Sequence, residues 1–359
     1  MATTRKKKKF DRVIGIDLGN GMVKIRSTDA KGKAYSLVLP CAWAYKKDVG
    51  DQIHSKQLKL ESFFLNDVEY VWGEDIAELG SKIKVAIGHD GRYKSEPYKI
   101  MAQIAMAKAV KDLDVAPTDK IYLVTGVPSQ ETNTERENDI ANAFFGENNG
   151  VHEIDVVDEK GEDKELLFRI GHVEVMSQPV ATVIGRYLDE DGFLGDEDYQ
   201  NIKVGVIDIG GGTTDLDIVD QLQRQKNYTS IPKGFSDVYK SIREVIKHEY
   251  PSHDVTDYEL LECLPEQSYK PSRRSSGVDF TGAMEAGIRE VSVDIQQAIL
   301  SNWKDQTDMD EILLIGASVK YFEENLSNVV TGLTIPDNHD VSNVEGYFRW
   351  GMNKVGEDE

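Results

Sequence analysis

Apolar and polar positions along the chain fall into short runs of β character and longer runs with helical spacing. Val13-Ile14-Gly15-Ile16-Asp17-Leu18 reads as a buried strand that stops at Gly19-Asn20-Gly21. Asn-Gly is a strong hairpin signal, so residues 22–26 form the returning strand, and a third strand over 35–39 follows the Lys31-Gly32-Lys33 turn. Residues 41–100 carry weaker signals, short strands such as 68–72 and a charged, glycine-containing stretch that includes Gly88-His89-Asp90-Gly91. A helix is predicted over 101–110, a strand over 121–127 closed by Pro128, a polar-faced helix over 132–145, a strand over 172–176, and a helix from Pro179 to about 187.

The second part of the chain starts the same way. Lys203-Val204-Gly205-Val206-Ile207-Asp208-Ile209 runs into Gly210-Gly211-Gly212, and placing Asp17 on Asp208 puts Gly19 on Gly210 and Gly21 on Gly212. Two halves built on one plan are therefore expected, with Lys24 and Asp215 as the partners that differ. A helix over 234–250 is stopped by Pro251, and residues 252–278 are polar and irregular. Ile288, Val291, Ile295, Ile299 and Trp303 recur at helical spacing as a core stripe. Ile312-Leu313-Leu314-Ile315 is a buried strand ending in Gly316-Ala317-Ser318, and the last helix lies near 343–353.

With 359 residues, 40% hydrophobic and 29% charged, the chain is long enough for two domains with real cores. The expected division is 1–188 as domain I, with an inserted subdomain at about 41–100, and 189–340 as domain II, with an insert at about 251–283. The C-terminal helix, about 341–359, is a candidate to pack back on domain I. The net charge of -21, from 63 acidic and 42 basic residues, repels phosphate backbones and argues against direct nucleic-acid binding by the body. The run Arg5-Lys6-Lys7-Lys8-Lys9 reads as a solvated arm. No apolar run approaches membrane-spanning length, and a cytoplasmic protein without a membrane partner is expected.

Cys41 and Cys263 form no CxxC pair and read as packing thiols. The acidic stretch 189–198 lacks the glycine and terminal glutamate positions of a calcium loop and reads as an inter-domain connection. His248-Glu249-Tyr250-Pro251-Ser252-His253 has the wrong spacing for a zinc helix, which Pro251 would break.

Glycine turns between buried strands expose backbone N–H groups to phosphate oxygens without a Cβ in the way. Gly19, Asn20, Gly21 and Met22 form one such cradle, and Gly210, Gly211, Gly212, Thr213 and Thr214 the other. Asp17 and Asp208 close the strands where a phosphate-bound Mg²⁺ would lie, and Lys24 adds a point charge for the β/γ-phosphates. Neither loop fits the Walker or the dinucleotide pattern.

Residues 14–24 resemble the first phosphate motif of the actin, Hsp70 and sugar-kinase superfamily, residues 206–215 its second, and residues 312–318 its adenosine motif, with Ala317 where a second glycine is usual. The resemblance implies an α/β, actin-like (ribonuclease H-like) fold of two related domains, each with a mixed five-stranded sheet and helices, and ATP or GTP in the cleft between them. It implies that Asp17 and Asp208 hold Mg²⁺ through water, that Lys24 and both glycine loops bind phosphates, and that Gln178 orients the attacking water. Gly316 and Ala317 would lie at adenosine, and Gly234 near the nucleotide.

The motifs look most like plasmid-partitioning actins of the ParM/StbA type. That implies an Mg-dependent ATPase forming homopolymeric filaments that move plasmid DNA through an adaptor protein on a centromere-like site. The alternatives are another actin-like filament protein of cell shape, phage or archaeal cytoskeleton, or a non-polymerising small-molecule kinase. The adenosine motif so near the end leaves no room for an Hsp70 substrate domain.

Overall fold

The computed structural model describes residues 9–50, 58–85, 91–303 and 305–357. Residues 1–8 of the basic arm and Gly88-His89-Asp90 lie outside the described residues.

The chain opens as the expected meander. Strand Arg12–Leu18 pairs antiparallel with Met22–Thr28, which pairs with Ala34–Pro40. On its other side Arg12–Leu18 pairs parallel with Lys120–Val127, and that strand pairs parallel with Asp163–Ser177. These five strands match the expected unit, but the sheet continues to ten. Asp163–Ser177 is a 15-residue strand, much longer than the predicted 172–176, and its first half pairs with Val151–Val157. The sheet then passes through Glu61–Leu65, Val68–Trp72, Ala42–Tyr45 and Lys84–Val85, so strands from residues 41–100 are hydrogen-bonded into it. Val151–Val157 alternates outward with inward residues, and the inward set is His152, Ile154 and Val156. The His152 ring stacks on Phe168 at 4.8 Å, and burial pushes its pKa down, so it behaves as a core aromatic.

The second half repeats the plan in a sheet of six strands. Lys203–Ile209 pairs antiparallel with Thr214–Asp220 and parallel with Glu311–Ile315. Helices Phe235–Glu249 and Thr281–Asn302 pack on one another and bury Val238, Ile242, Val291, Ile295 and Ile299. Each such side chain contributes about 1.5–3 kcal/mol on leaving water. Residues 252–278 hold a short helix, Asp257–Cys263, and a small hairpin in which Ser268–Tyr269 pairs with Val278–Asp279.

Helix Glu96–Asp112 starts before the predicted 101, because Ser95 accepts a hydrogen bond from the Tyr98 N–H and Pro97 occupies the first turn. Helix Gln178–Tyr187 crosses the C-terminal helix Ser342–Glu357 with backbones nearly touching. A methyl group on Gly346 would lie 1.8 Å from the Ala181 carbonyl oxygen, and one on Gly185 3.0 Å from the Gly346 Cα. The C-terminal helix also lies on strands Arg12–Leu18 and Lys120–Val127, burying Val344, Tyr347 and Phe348 beside Val13, Tyr122 and Val124.

Residues 189–198 form a tight turn in which the Asp189 carboxylate accepts hydrogen bonds from the N–H groups of Asp191 (3.0 Å) and Phe193 (2.8 Å). Cys41 is buried, Cys263 half-buried, and neither forms a disulfide. His253 bonds the Tyr269 hydroxyl at 2.6 Å, and His248 is exposed beside Glu249. Among the described residues no helix is long and apolar enough to cross a membrane.

Candidate functional site

Both glycine turns end their strands at one cleft. A Cβ on Gly211 would lie 3.8 Å from Asn20 Cβ and 3.9 Å from the Gly21 nitrogen, so the two turns face each other directly. Asp17, Gly19, Asn20, Gly21, Met22, Lys24, Gln178, Asp208, Gly210, Gly211, Gly212, Thr213, Gly316 and Ala317 all line this cleft.

Two expected residues do not. Thr214 is fully buried, and its hydroxyl donates to the Lys233 carbonyl at 2.8 Å, tying down the strand that follows the turn. Gly234 lies behind the second turn, where a Cβ would meet the Gly210 oxygen at 2.5 Å and the Gly211 oxygen at 2.6 Å. Its bareness lets the N–H groups of Phe235 and Ser236 donate to those two carbonyls, at 3.2 and 2.8 Å. The start of helix Phe235–Glu249 thereby braces the turn.

Strand register places the charges. In the first hairpin Asp17 stands opposite Lys24, and Lys24 Nζ reaches Asp17 Oδ2 at 3.0 Å. Burial works against the Lys24 ammonium, but the Asp17 charge and hydrogen bond prevail and its pKa is raised. Gln178, the first residue of its helix, donates from Nε2 to Asp17 Oδ1 at 3.3 Å.

In the second hairpin Asp208 stands opposite Asp215. Burial is the main reason that Asp208 is pushed up to about 6 and Asp215 to about 7, and the negative charge of Asp208 adds to the shift of Asp215. Asn343 Nδ2 donates to Asp208 Oδ2 at 2.8 Å, which favours the charged form, and Asn343 Oδ1 accepts from Thr182 at 2.8 Å.

Sequence reasoning did not assign several residues of this site. Asn343 is one, and no motif surrounds it. Arg92 is another: it donates to the Leu18 carbonyl at 2.8 Å and to Asn20 Oδ1, with its guanidinium over the rings of Tyr93 and Tyr98. Tyr258, from the second insert, donates to the Gly21 carbonyl at 2.9 Å across the cleft mouth. His339 brackets Gly316, its backbone oxygen accepting from the Gly316 N–H and its Nδ1 lying 2.8 Å from the Gly316 oxygen.

Ser129 joins the halves beside the cleft. Its N–H donates to Asp215 at 2.7 Å, its hydroxyl to Asp217, and its carbonyl accepts from Arg224 at 3.0 Å. Arg224 also grips Asp217, which is 0% exposed, with two hydrogen bonds of 2.6 and 3.1 Å.

The arrangement fits a polyphosphate and a hard divalent cation. Two facing turns supply N–H groups, Lys24 supplies a cation, and Asp17 and Asp208, 4% and 6% exposed, supply carboxylate oxygens. No group of three or more metal-ligating side chains occurs among the described residues. A cation here would therefore keep much of its shell in water and phosphate, as Mg²⁺ does.

Residues 15–180 match the N-terminal domain of actin like proteins, and residues 206–328 match the C-terminal domain of the archaeal actin homologue MreB-like family. No curated protein matches the chain in sequence. Among solved structures, the subunit of a 15-stranded ParM filament from Clostridium botulinum is 19% identical over 95% of this chain and 99% of that one, with a TM-score of 0.73. The archaeal actin homologue Ta0583 in complex with ADP is 17% identical over 97% of this chain and 99% of its own, with a TM-score of 0.68. An apo psk41 ParM protein is 19% identical over 96% and 99%, also with a TM-score of 0.68. With two actin-type domains in order and a shared fold over nearly its full length, the chain belongs to the actin-like proteins.

Proposed function

We propose that this chain is an ATPase that polymerises with Mg-ATP into dynamic filaments and moves plasmid DNA through a DNA-bound adaptor protein. The observation that carries the reading is the cleft in which two Asp-Gly turns face one another, one neutralised by Lys24 and the other carrying surplus negative charge. The ParM-filament and ADP-bound neighbours support assembly and a nucleotide ligand, and the acidic body favours an adaptor over direct DNA contact.

ATP is the expected nucleotide, with GTP as the alternative base. Bound Mg²⁺ would supply charge neutralisation on the β- and γ-phosphates. Asp17 and Asp208 would hold it through water, and Lys24 with the two turns would hold the phosphates. Gln178 reaches into the cleft from a helix start, where its amide can orient a water in line with the γ-phosphate. Gly316 and Ala317 would form the floor under adenosine.

Light scattering and phosphate release, measured together over a protein concentration series with Mg-ATP, test this reading. Scattering above a critical concentration, with phosphate release rising alongside it, is the expected result. Phosphate release proportional to protein at all concentrations, without scattering, would replace it with a monomeric ATPase or kinase.

A further inference from the structure

The turn 189–198 does more than connect. Six of its ten residues are acidic and none is basic. At its tip Phe193 is 69% exposed and Leu194 51%, two adjacent large apolar side chains in water. The tip is held rigidly: besides the Asp189 bonds, Asn353 donates to the Gly192 carbonyl at 3.0 Å, Arg349 to the Leu188 carbonyl at 2.8 Å, and Arg26 pairs with Glu190 at 3.1 Å. A fixed apolar tip inside an acidic rim has the composition of a docking knob.

A run of opposite charge lies at the other end of the second half. The hairpin run 268–278 carries Lys270, Arg273 and Arg274 and no acidic residue. All three basic side chains are exposed.

Helix Thr281–Asn302 measures the separation. It leaves the hairpin strand Val278–Asp279 and, after 22 residues, ends where the Trp303 ring closes on Gly205, at the foot of strand Lys203–Ile209. Such a helix is about 33 Å long. The acidic turn sits at the same foot, where Tyr199 donates to Glu311, the first residue of strand Glu311–Ile315, at 2.6 Å. One end of the second half is therefore acidic with an apolar tip, and the other presents the basic run 270–274 on a hairpin bordered by Glu266 and Asp279.

We propose that the Phe193–Leu194 knob and its acidic rim dock on the basic 268–278 hairpin of a second copy of this chain. The inference rests on the filament reading above and names the surfaces that reading requires. Two different patches at opposite ends make a head-to-tail contact, which leaves both outer ends open and propagates into a filament. The apolar tip supplies burial, and the charges select register and polarity.

Reciprocal charge exchange tests it. The tail variant is Glu197→Arg with Asp198→Arg, the head variant is Arg273→Glu with Arg274→Glu, and the third variant combines all four. All four positions are exposed, so thermal melting should match the parent. Sedimentation with Mg-ATP should show the critical concentration of each two-site variant raised about tenfold or more, and that of the combined variant restored to near the parent value. Phe193→Ser should also raise it. An unchanged critical concentration in either two-site variant, or a combined variant as poor as its components, overturns the assigned surfaces while the parent still polymerises. A parent that stays monomeric at every concentration overturns the filament reading, and this contact with it.

Discussion

The two hairpins share topology, register and a glycine turn, and at the cross-strand pair just before the turn they carry opposite electrostatics. Asp17 faces Lys24, whereas Asp208 faces Asp215. Opposite charges across a strand pair stabilise it and like charges destabilise it, so one scaffold yields a neutral arm and an arm with surplus negative charge. In the neutral arm Lys24 balances the Asp17 charge directly. The other arm relies on the Asn343 amide, on Ser129 and on partial protonation, and a divalent cation would relieve it further. The shared register supplies the geometry, and the partner opposite each aspartate, Lys24 or Asp215, sets the charge of the arm.

The comparison breaks most decisively at Asp208. Asp208→Ala should lower phosphate release by roughly a hundredfold or more, because the lost carboxylate is the one on the unneutralised arm. A drop of less than tenfold in single-turnover release would show that the two arms are interchangeable.

Gln178→Ala comes next, with release slowed about tenfold to a hundredfold and nucleotide affinity kept, as for a group that orients water without binding phosphate. An unchanged rate removes Gln178 from the mechanism. Lys24→Met takes the cation out of the neutral arm and should weaken binding of a fluorescent ADP by about tenfold, the scale of one charge-assisted contact. Equal affinity would mean that the backbone turns alone hold the phosphates.

The smallest effect concerns stability without nucleotide. Asp215 is raised in the folded chain to about 7, from an ordinary carboxylate value of 3.8. The folded state therefore binds more protons than the unfolded one between those values, and stability falls as pH rises through that window. Asp215→Asn should raise the melting midpoint by a few degrees at pH 8 and leave it unchanged near pH 4. A midpoint that falls at pH 8 would assign Asp215 a favourable charged role in the empty cleft.

The hairpins were legible in the sequence because each is local: a β-branched run, an aspartate and a glycine turn within about ten residues. The extension of the first sheet to ten strands was not. In Val151–Val157 an inward position is held by His152, which reads as polar but packs as an aromatic, so the alternation is hidden. In Asp163–Ser177 the outward Leu167, 45% exposed, sits between inward Leu166 and Phe168 and blurs the alternation in the same way. Arg92 and Asn343 reach the cleft from segments without any motif, 72 residues from Asn20 and 135 from Asp208 in sequence, and only tertiary packing brings them there. Thr214 and Gly234 show the converse, motif positions that serve the turn from behind instead of facing the cleft.

The crossing of helices Gln178–Tyr187 and Ser342–Glu357 fixes how such a scaffold can drift. Gly346 lies so close to Ala181 that even one methyl group would have to push the helix axes apart. The first helix starts at Gln178 and the second carries Asn343, so wider spacing at the crossing would pull an amide away from Asp17 or Asp208. A substitution hidden in this joint would thus be felt as a change in cleft width, and Gly185 and Gly346 are bound to one another's fate as closely as any pair of residues lining the cleft.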